Sequence, residues 1–186
     1  EWMLSEAEGY EILGKYGVPV PGFKIVTTAE EAGEVADSIG FPVVMKIVSP
    51  QIIHKSDSGG VITSVGTKEG AQAAFNRIVT SVKEYNPKAK IEGVIIEEQA
   101  KPGLELIIGG KTDGTFGKVI TFGIGGTLVE LMKDVTLRIL PTTEDDVRAM
   151  VKEIRSYPLI SGYRGSKPKD EETLVNAILN VCRFFE

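Results

Sequence analysis

The run from Phe41 to Val61, FPVVMKIVSPQIIHKSDSGGV, constrains this chain more than any other stretch. An apolar, strand-like segment, Phe41-Pro42-Val43-Val44-Met45, ends on Lys46. The chain then passes its single histidine, His54, and a polar group, Lys55-Ser56-Asp57-Ser58. It closes on Gly59-Gly60 and re-enters apolar sequence at Val61-Ile62. Two strands joined by a Gly-rich loop, with a lysine where the first strand ends, is the plan of a loop that wraps a polyphosphate. Glycines such as Gly59 and Gly60 let backbone N–H groups turn toward an anion, and Ser56 and Ser58 add hydroxyl donors. No G-x-x-x-x-G-K-[ST] sequence occurs, so this is not a Walker loop.

Helices and strands interleave irregularly around that centre. Ser5 and Glu8 form a capping box that starts a helix running to about Tyr16. Phe23 to Val26 reads as a strand. Thr28 and Glu31 form a second capping box, and Ala29, Ala32, Val35, Ala36 and Ile39 recur at helical spacing before Gly40. Ala71, Ala74, Phe75, Ile78, Val79 and Val82 make another helical stripe. Gly93 to Glu97 reads as a strand, Pro102-Gly103 as a turn, and Leu104 to Ile108 as the next strand. Gly109-Gly110 and Asp113-Gly114 mark a hairpin, followed by a strand over Val119 to Phe122. A second Gly-rich stretch, residues 123 to 141, contains Thr136 to Ile139, which looks extended. Thr143 and Asp146 cap a helix, Arg164-Gly165 lies in a polar turn, and a final helix covers about Glu171 to Phe185. The order predicts α+β lobes rather than a doubly wound sheet.

Composition narrows the class. The chain has 186 residues, ample for a buried core. Its net charge of -5 argues against non-specific nucleic-acid binding, which needs an excess of basic side chains. The single cysteine, Cys182, excludes an internal disulfide and sits on an apolar helix stripe, where core packing accounts for it. No apolar run reaches the ~20 residues of a membrane helix, and the acidic N-terminal segment lacks the plan of a signal peptide. These features predict a soluble cytoplasmic protein.

Several residues carry candidate chemistry. Lys46 is either a lysine snorkelling from a strand or a point charge beside a nucleotide phosphate. His54 is either a structural histidine or a nucleophile in an anion-binding loop, the arrangement that covalent phosphoryl transfer needs. Glu97-Glu98 and Glu105 flank the Pro-Gly turn; they are solvent-facing charges, or carboxylates that share a pocket for adenine and ribose. Glu130, Asp134 and Arg138 are spaced by four, which gives a salt-bridged helix face or, if the segment is extended, a phosphate and metal edge.

In this order the motifs resemble the ATP-grasp fold, and more closely the β subunit of NDP-forming acyl-CoA synthetases, the ADP-forming acetate–CoA ligases. The matching stretches are LSEAEGYEILGKYGVPVP, FPVVMKIVSPQIIHKSDSGGV, GVIIEEQAKPGLELIIG, FGKVITFGIGGTLVELMKDVTLRILP and ISGYRG. The β subunit of succinyl-CoA synthetase is a more distant relative. The resemblance implies two α+β lobes gripping a nucleotide, residues 1–100 with the phosphate loop and residues 101–186 with further strands beyond them. It implies that Lys46, with Ser56, Gly59 and Gly60, contacts nucleotide phosphates. Glu98, Gln99, Ala100 and Lys101 would form the adenine hinge, Glu105 would bind ribose, and Arg138 would serve the phosphates. His54 would match the family's phosphohistidine in this subunit. ATP or ADP with Mg2+ is the implied ligand, with Glu130 and Asp134 as candidate metal ligands and the main acidic ligands in a later segment of the type ELDINP. A CoA-binding α subunit, or its fused equivalent, is the implied partner. In that scheme a phosphoryl group passes from a histidine of the partner to His54 and then to ADP. Two other readings stay open: a nucleotide-sensing ATP-grasp module fused to an acetyltransferase, and a carboxylate–amine ligase of the same fold, which would have no use for His54.

Overall fold

A computed structural model describes residues 4–126 and 133–186. The chain divides into two compact units, Glu1–Ile12 with Val20–Lys101 and Leu13–Pro19 with Pro102–Glu186. No helix among the described residues is long and apolar enough to cross a membrane.

The first unit is built on four antiparallel strands. Helix α1 (Glu6–Lys15) begins at the predicted box: the Ser5 N–H donates to Glu8 Oε2 at 2.7 Å, and the Glu8 N–H donates to Ser5 Oγ. Strand β1 (Phe23–Val26) leads to α2 (Ala29–Ile39), where Thr28 accepts the Glu31 N–H as its cap. The Glu31 carboxylate reaches one residue further back than the box predicts, to the Thr27 N–H and hydroxyl. Gly40, at φ 98°, ends the helix in a conformation that a β-carbon disfavours. Then follow β2 (Val43–Val48), β3 (Val61–Val65), α3 (Lys68–Tyr85) and β4 (Gly93–Glu98), and the sheet order is β1-β4-β2-β3.

Strand alternation decides what each face of this sheet carries. Val43, Met45 and Ile47 of β2 and Val94 and Ile96 of β4 point to α2 and α3, forming a core with Ala32, Ala36, Phe75, Ile78 and Val82. Each fully buried side chain of this size contributes roughly 1.5–3 kcal/mol. A β-carbon at Gly33 would come within 3.1 Å of the Gln72 side chain, so its absence lets α2 lie close on α3. The opposite face receives the start of α1: Ala7 and Tyr10 pack with Ile95, Val48 and Phe23. Lys46 pairs with Ile95, and Val44 with Glu97, so Lys46 and Glu97 emerge on this second face.

The second unit has the antiparallel order β5-β6-β7, formed by Leu106–Asp113, Gly117–Ile124 and Val135–Ile139. Helices α4 (Glu144–Glu153), α5 (Tyr157–Ser161) and α6 (Glu171–Phe185) follow, and α4 opens on the predicted Thr143–Asp146 box. Ile120, Phe122, Met150, Val151, Ile160, Val175, Ile178 and Cys182 form its core. Ile107, Val135, Leu137 and Ile139 are exposed on the strands.

Both sheets are antiparallel, and the α+β class follows. Two local expectations need correction. Lys46 lies inside β2, which continues to Val48, rather than at the strand's end. Gly109 and Gly110 lie within β5 rather than at a turn, and the hairpin turns at Asp113, whose Oδ1 accepts the N–H groups of Thr115 and Phe116. Those glycines are needed for closeness: a β-carbon at Gly109 would sit 2.9 Å from Thr121 Oγ1, and one at Gly110 would sit 3.0 Å from the Phe185 ring.

Candidate active site

A lysine in the middle of an apolar strand must find anions, because an unpaired buried charge is costly. Lys46 finds two. Its Nζ lies 2.8 Å from Glu97 Oε2 and 2.6 Å from Glu6 Oε1. Glu97 reaches it because β4 is antiparallel to β2 and the two residues share a sheet face. Glu6 reaches it from the first turn of α1. The second oxygen of Glu6 meets Lys55 Nζ at 2.5 Å, and the Tyr10 hydroxyl donates to Glu6 Oε1 at 3.1 Å.

The electrostatics follow from this packing. Burial alone would raise the Glu6 carboxyl, but the hydrogen bonds from Lys46 and Lys55 hold it down at about 2. Burial would lower Lys46, and its bonds to Glu6 and Glu97 more than reverse that, keeping it charged. Burial pushes the Glu97 carboxyl up in spite of Lys46; its Oε1 is buried with no hydrogen-bond partner among the described residues. Burial also raises the Tyr10 phenol to about 12. Glu6 and Tyr10 were not among the site residues expected from sequence, and Glu97, read there as a solvent-facing or adenine-pocket carboxylate, is instead buried against Lys46. Alternation along GVIIEE could have singled out Glu97 as the inward carboxylate; no local signal marks Glu6, which lies 40 residues from Lys46.

The loop after β2 starts from a buried anchor, Ile52, and leaves His54 exposed. Its glycines do not present donors outward as the sequence pattern implies. The Gly60 N–H donates to Lys55 O at 2.8 Å, and the Gly59 N–H donates to Ser56 O at 3.2 Å. Ser58 is buried, and its hydroxyl donates to Lys55 O. The glycines instead build the loop. Gly59 has φ +67°, and a β-carbon at Gly60 would lie 2.6 Å from Ile47 Cγ2 and 3.0 Å from Lys55 O. Ser56 stays exposed beside His54.

At the end of β4 the two carboxylates separate, Glu97 buried and Glu98 exposed. The Glu98 N–H is used by Gly22 O, and the Gln99 N–H by Pro42 O. The Gln99 side chain is held by Ser64, whose N–H donates to Oε1 at 2.6 Å. Ala100 and Lys101 are exposed and extend beyond the sheet. Their N–H groups make no hydrogen bond among the described residues, leaving them available to a ligand edge.

In the second unit, Glu105 precedes β5 and its carbonyl accepts the Gly125 N–H at 2.7 Å. A β-carbon at Gly126 would stand 2.6 Å from Glu105 Oε2, so this glycine leaves room for the carboxylate. Arg138, on β7 rather than a helix, donates to Glu153 at 2.6 Å and to Leu137 O, and lines an open hollow with Lys111, Asp113 and Phe116. Asp134 is corrected as a metal ligand. It is buried, and its two oxygens accept the N–H groups of Arg155 and Ser156, each at 2.8 Å. Burial would raise its carboxyl, but the Ser156 and Arg155 hydrogen bonds lower it. Glu130 lies outside the described residues. Among the described residues no group of three or more His, Cys, Asp or Glu is placed to hold a metal ion.

A match to the ATP-grasp domain extends over residues 1–186. The chain belongs to the ATP-grasp family. Within it, the chain is 47% identical over 178 residues to the β subunit of acetate–CoA ligase [ADP-forming] I of Pyrococcus furiosus, covering 96% of this chain and 77% of that protein. That places it in the group of ADP-forming acetate–CoA ligase β subunits. An acetyl-coenzyme A synthetase 1 of Ca. Korarchaeum cryptofilum, solved in complex with coenzyme A, Ca-AMPCP and HgCl+, superposes with a TM-score of 0.93 at 42% identity. The match covers 98% of this chain and 80% of that one. A second structure of that enzyme, with coenzyme A and Mg-AMPPCP and a phosphohistidine segment pointing towards the nucleotide binding site, superposes at 0.83 and 38% identity. There the shares are 98% of this chain and 78% of that one.

Proposed function

We propose that this ATP-grasp chain is the nucleotide-binding, phosphoryl-carrying subunit of an ADP-forming acyl-CoA synthetase. The reaction is acyl-CoA, ADP and phosphate to acid, CoA and ATP, run reversibly with a CoA-binding partner subunit or its fused equivalent. One observation carries the reading. The lysine that would serve the phosphates and the loop that bears the chain's single histidine meet at one carboxylate, since Lys46 and Lys55 both bind Glu6. The identity to an ADP-forming acetate–CoA ligase β subunit favours this function over a sensing module or a carboxylate–amine ligase.

The roles divide as follows. Lys46, held by Glu6 and Glu97, would offer its remaining N–H to the nucleotide phosphates, as a fixed cation does in phosphoryl transfer. The main chain at Ala100 and Lys101, beside Glu98 and Gln99, would meet the adenine edge, and Glu105 would take the ribose hydroxyls. Ser56 would donate to the phosphoryl group beside His54. Gly59 and Gly60 act by shaping the loop. In the ATP-consuming direction an imidazole nitrogen of His54 attacks the γ-phosphorus, the bond to the bridging oxygen breaks, and ADP leaves. In reverse, ADP takes the phosphoryl group from His54. Magnesium would serve as a counter-ion on the nucleotide phosphates. Arg138 and Asp134 receive no role, each being committed within its own unit. The single buried thiol, Cys182, is compatible with a reducing, cytoplasmic setting.

The test is product analysis with the full-length protein. Incubated with acetate, CoA and ATP, it should make no acyl-CoA unless a CoA-binding subunit or a fused CoA-binding portion is present. With its CoA-binding partner it should yield acyl-CoA with ADP and phosphate. Synthesis by this chain alone, or release of AMP and pyrophosphate, would contradict the proposal.

A further inference from the structure

Glu6 does something its local position does not require. It is the first residue of α1, where a carboxylate normally serves the helix's own unpaired N–H groups. The Ser5–Glu8 box already serves that end. Instead, Glu6 Oε1 accepts from Lys46 and Oε2 from Lys55. Lys46 does not depend on Glu6 alone, because Glu97 holds it at 2.8 Å from the neighbouring strand. Lys55 has no other side-chain partner among the described residues. What Glu6 alone provides is therefore the hold on Lys55, the residue next to His54.

Lys55 is also where the loop's internal bonds converge. Its carbonyl accepts both the Gly60 N–H and the Ser58 hydroxyl, each at 2.8 Å. The loop is thus fixed twice at one residue, by its own turn through the carbonyl and by helix α1 through the ammonium. Charge balance makes the second tie necessary. Two ammonium groups, Lys46 and Lys55, face two carboxylates, Glu6 and Glu97. Without the Glu6 charge, two cations would share one buried carboxylate. Lys46 sits in a strand and would stay, so Lys55 and its loop would move out.

We propose that Glu6 is a positioning residue that, by bridging Lys46 and Lys55, holds the His54 loop against the phosphate lysine. The inference rests on the roles proposed for Lys46 and His54. It gives helix α1 a part in phosphoryl transfer, exerted through Lys46 and Lys55.

The experiment uses the full-length protein assembled with its CoA-binding partner, and compares Glu6→Gln, Glu6→Asp, Lys55→Gln and Glu6→Gln/Lys55→Gln. Three quantities are read: ATP affinity by calorimetry, the initial rate of alkali-stable phosphoryl labelling from labelled ATP, and amide exchange over residues 52–60. Glu6→Gln should change affinity by less than about threefold while labelling slows about tenfold or more, a loss in the reacting geometry rather than in binding. Loop amides should exchange roughly tenfold faster. Lys55→Gln should behave alike, the double variant should be no worse than either single one, and Glu6→Asp should recover part of the rate. If Glu6→Gln does not fold, Lys55→Gln tests the same tie from the loop side. Labelling at the wild-type rate, equal losses of affinity and labelling, or a double variant that loses the product of the single effects would overturn the proposal. A wild-type complex that takes no label would instead remove the phosphohistidine reading, and the exchange data would still decide whether Glu6 holds the loop.

Discussion

Glu6 titrates where few glutamates do, and that gives the site a pH signature. Its carboxyl is held at about 2 against an ordinary 4.5, so the ion pairs contribute stability that is complete above about pH 4.5 and is lost as pH falls toward 2. Wild type should therefore lose stability across that window more steeply than Glu6→Gln, measured as urea midpoints between pH 5 and 2. At neutral pH Glu6→Gln should cost about 1–3 kcal/mol, between the values for exposed and buried pairs. Asp134→Asn should cost a similar amount, about 1–3 kcal/mol, because an amide nitrogen would face a buried N–H donor; chemical denaturation checks it. The residue scale is also where sequence was least legible. His54, Lys46 and the exposed Glu98 stand out by type and by neighbours. Glu6 does not, and Asp134 stood out for its spacing rather than for the role it has, because their partners lie 40 and 21 residues away and no short window contains both members.

At the scale of elements, caps and stripes spoke plainly. Helices α1, α2 and α4 begin at the predicted hydroxyl caps, and the stripe Ala71, Ala74, Phe75, Ile78, Val82 is the buried face of α3. Glycines were the ambiguous signal. A Gly pair in sequence can bend a loop, bare its N–H groups or let two surfaces touch, and only packing decides. Gly59 and Gly60 bend and fill, while Gly109 and Gly110 admit Thr121 and Phe185 to a straight strand. The loop's shape should thus depend on Gly60 sterically. Gly60→Ala would press a β-carbon against Ile47 and the Lys55 carbonyl, costing about 1–3 kcal/mol by overpacking. It should also slow phosphoryl labelling more than it weakens ATP binding, which calorimetry and label kinetics would separate.

The whole molecule comprises two units, each with an antiparallel sheet and a core of its own. The α+β class and the ATP-grasp family were legible because their motifs run the length of the chain. The apolar strand face of Ile107, Val135, Leu137 and Ile139 was not, since alternation in a short strand does not tell which face a neighbour covers. A nucleotide that binds only the folded protein raises its melting temperature. ADP or ATP with magnesium at ~100 times its dissociation constant should add about 2.7 kcal/mol to the full-length subunit, seen as a rise of several degrees in a thermal melt. The central claim is that His54 carries the phosphoryl group, and one measurement addresses it most directly. The assembled full-length complex is incubated with labelled ATP and magnesium, quenched in alkali, and the label on this chain is counted for wild type and His54→Gln. The account predicts label that survives base and is lost in acid, absent in His54→Gln, with nucleotide affinity unchanged. Turnover of His54→Gln at the wild-type rate would contradict it.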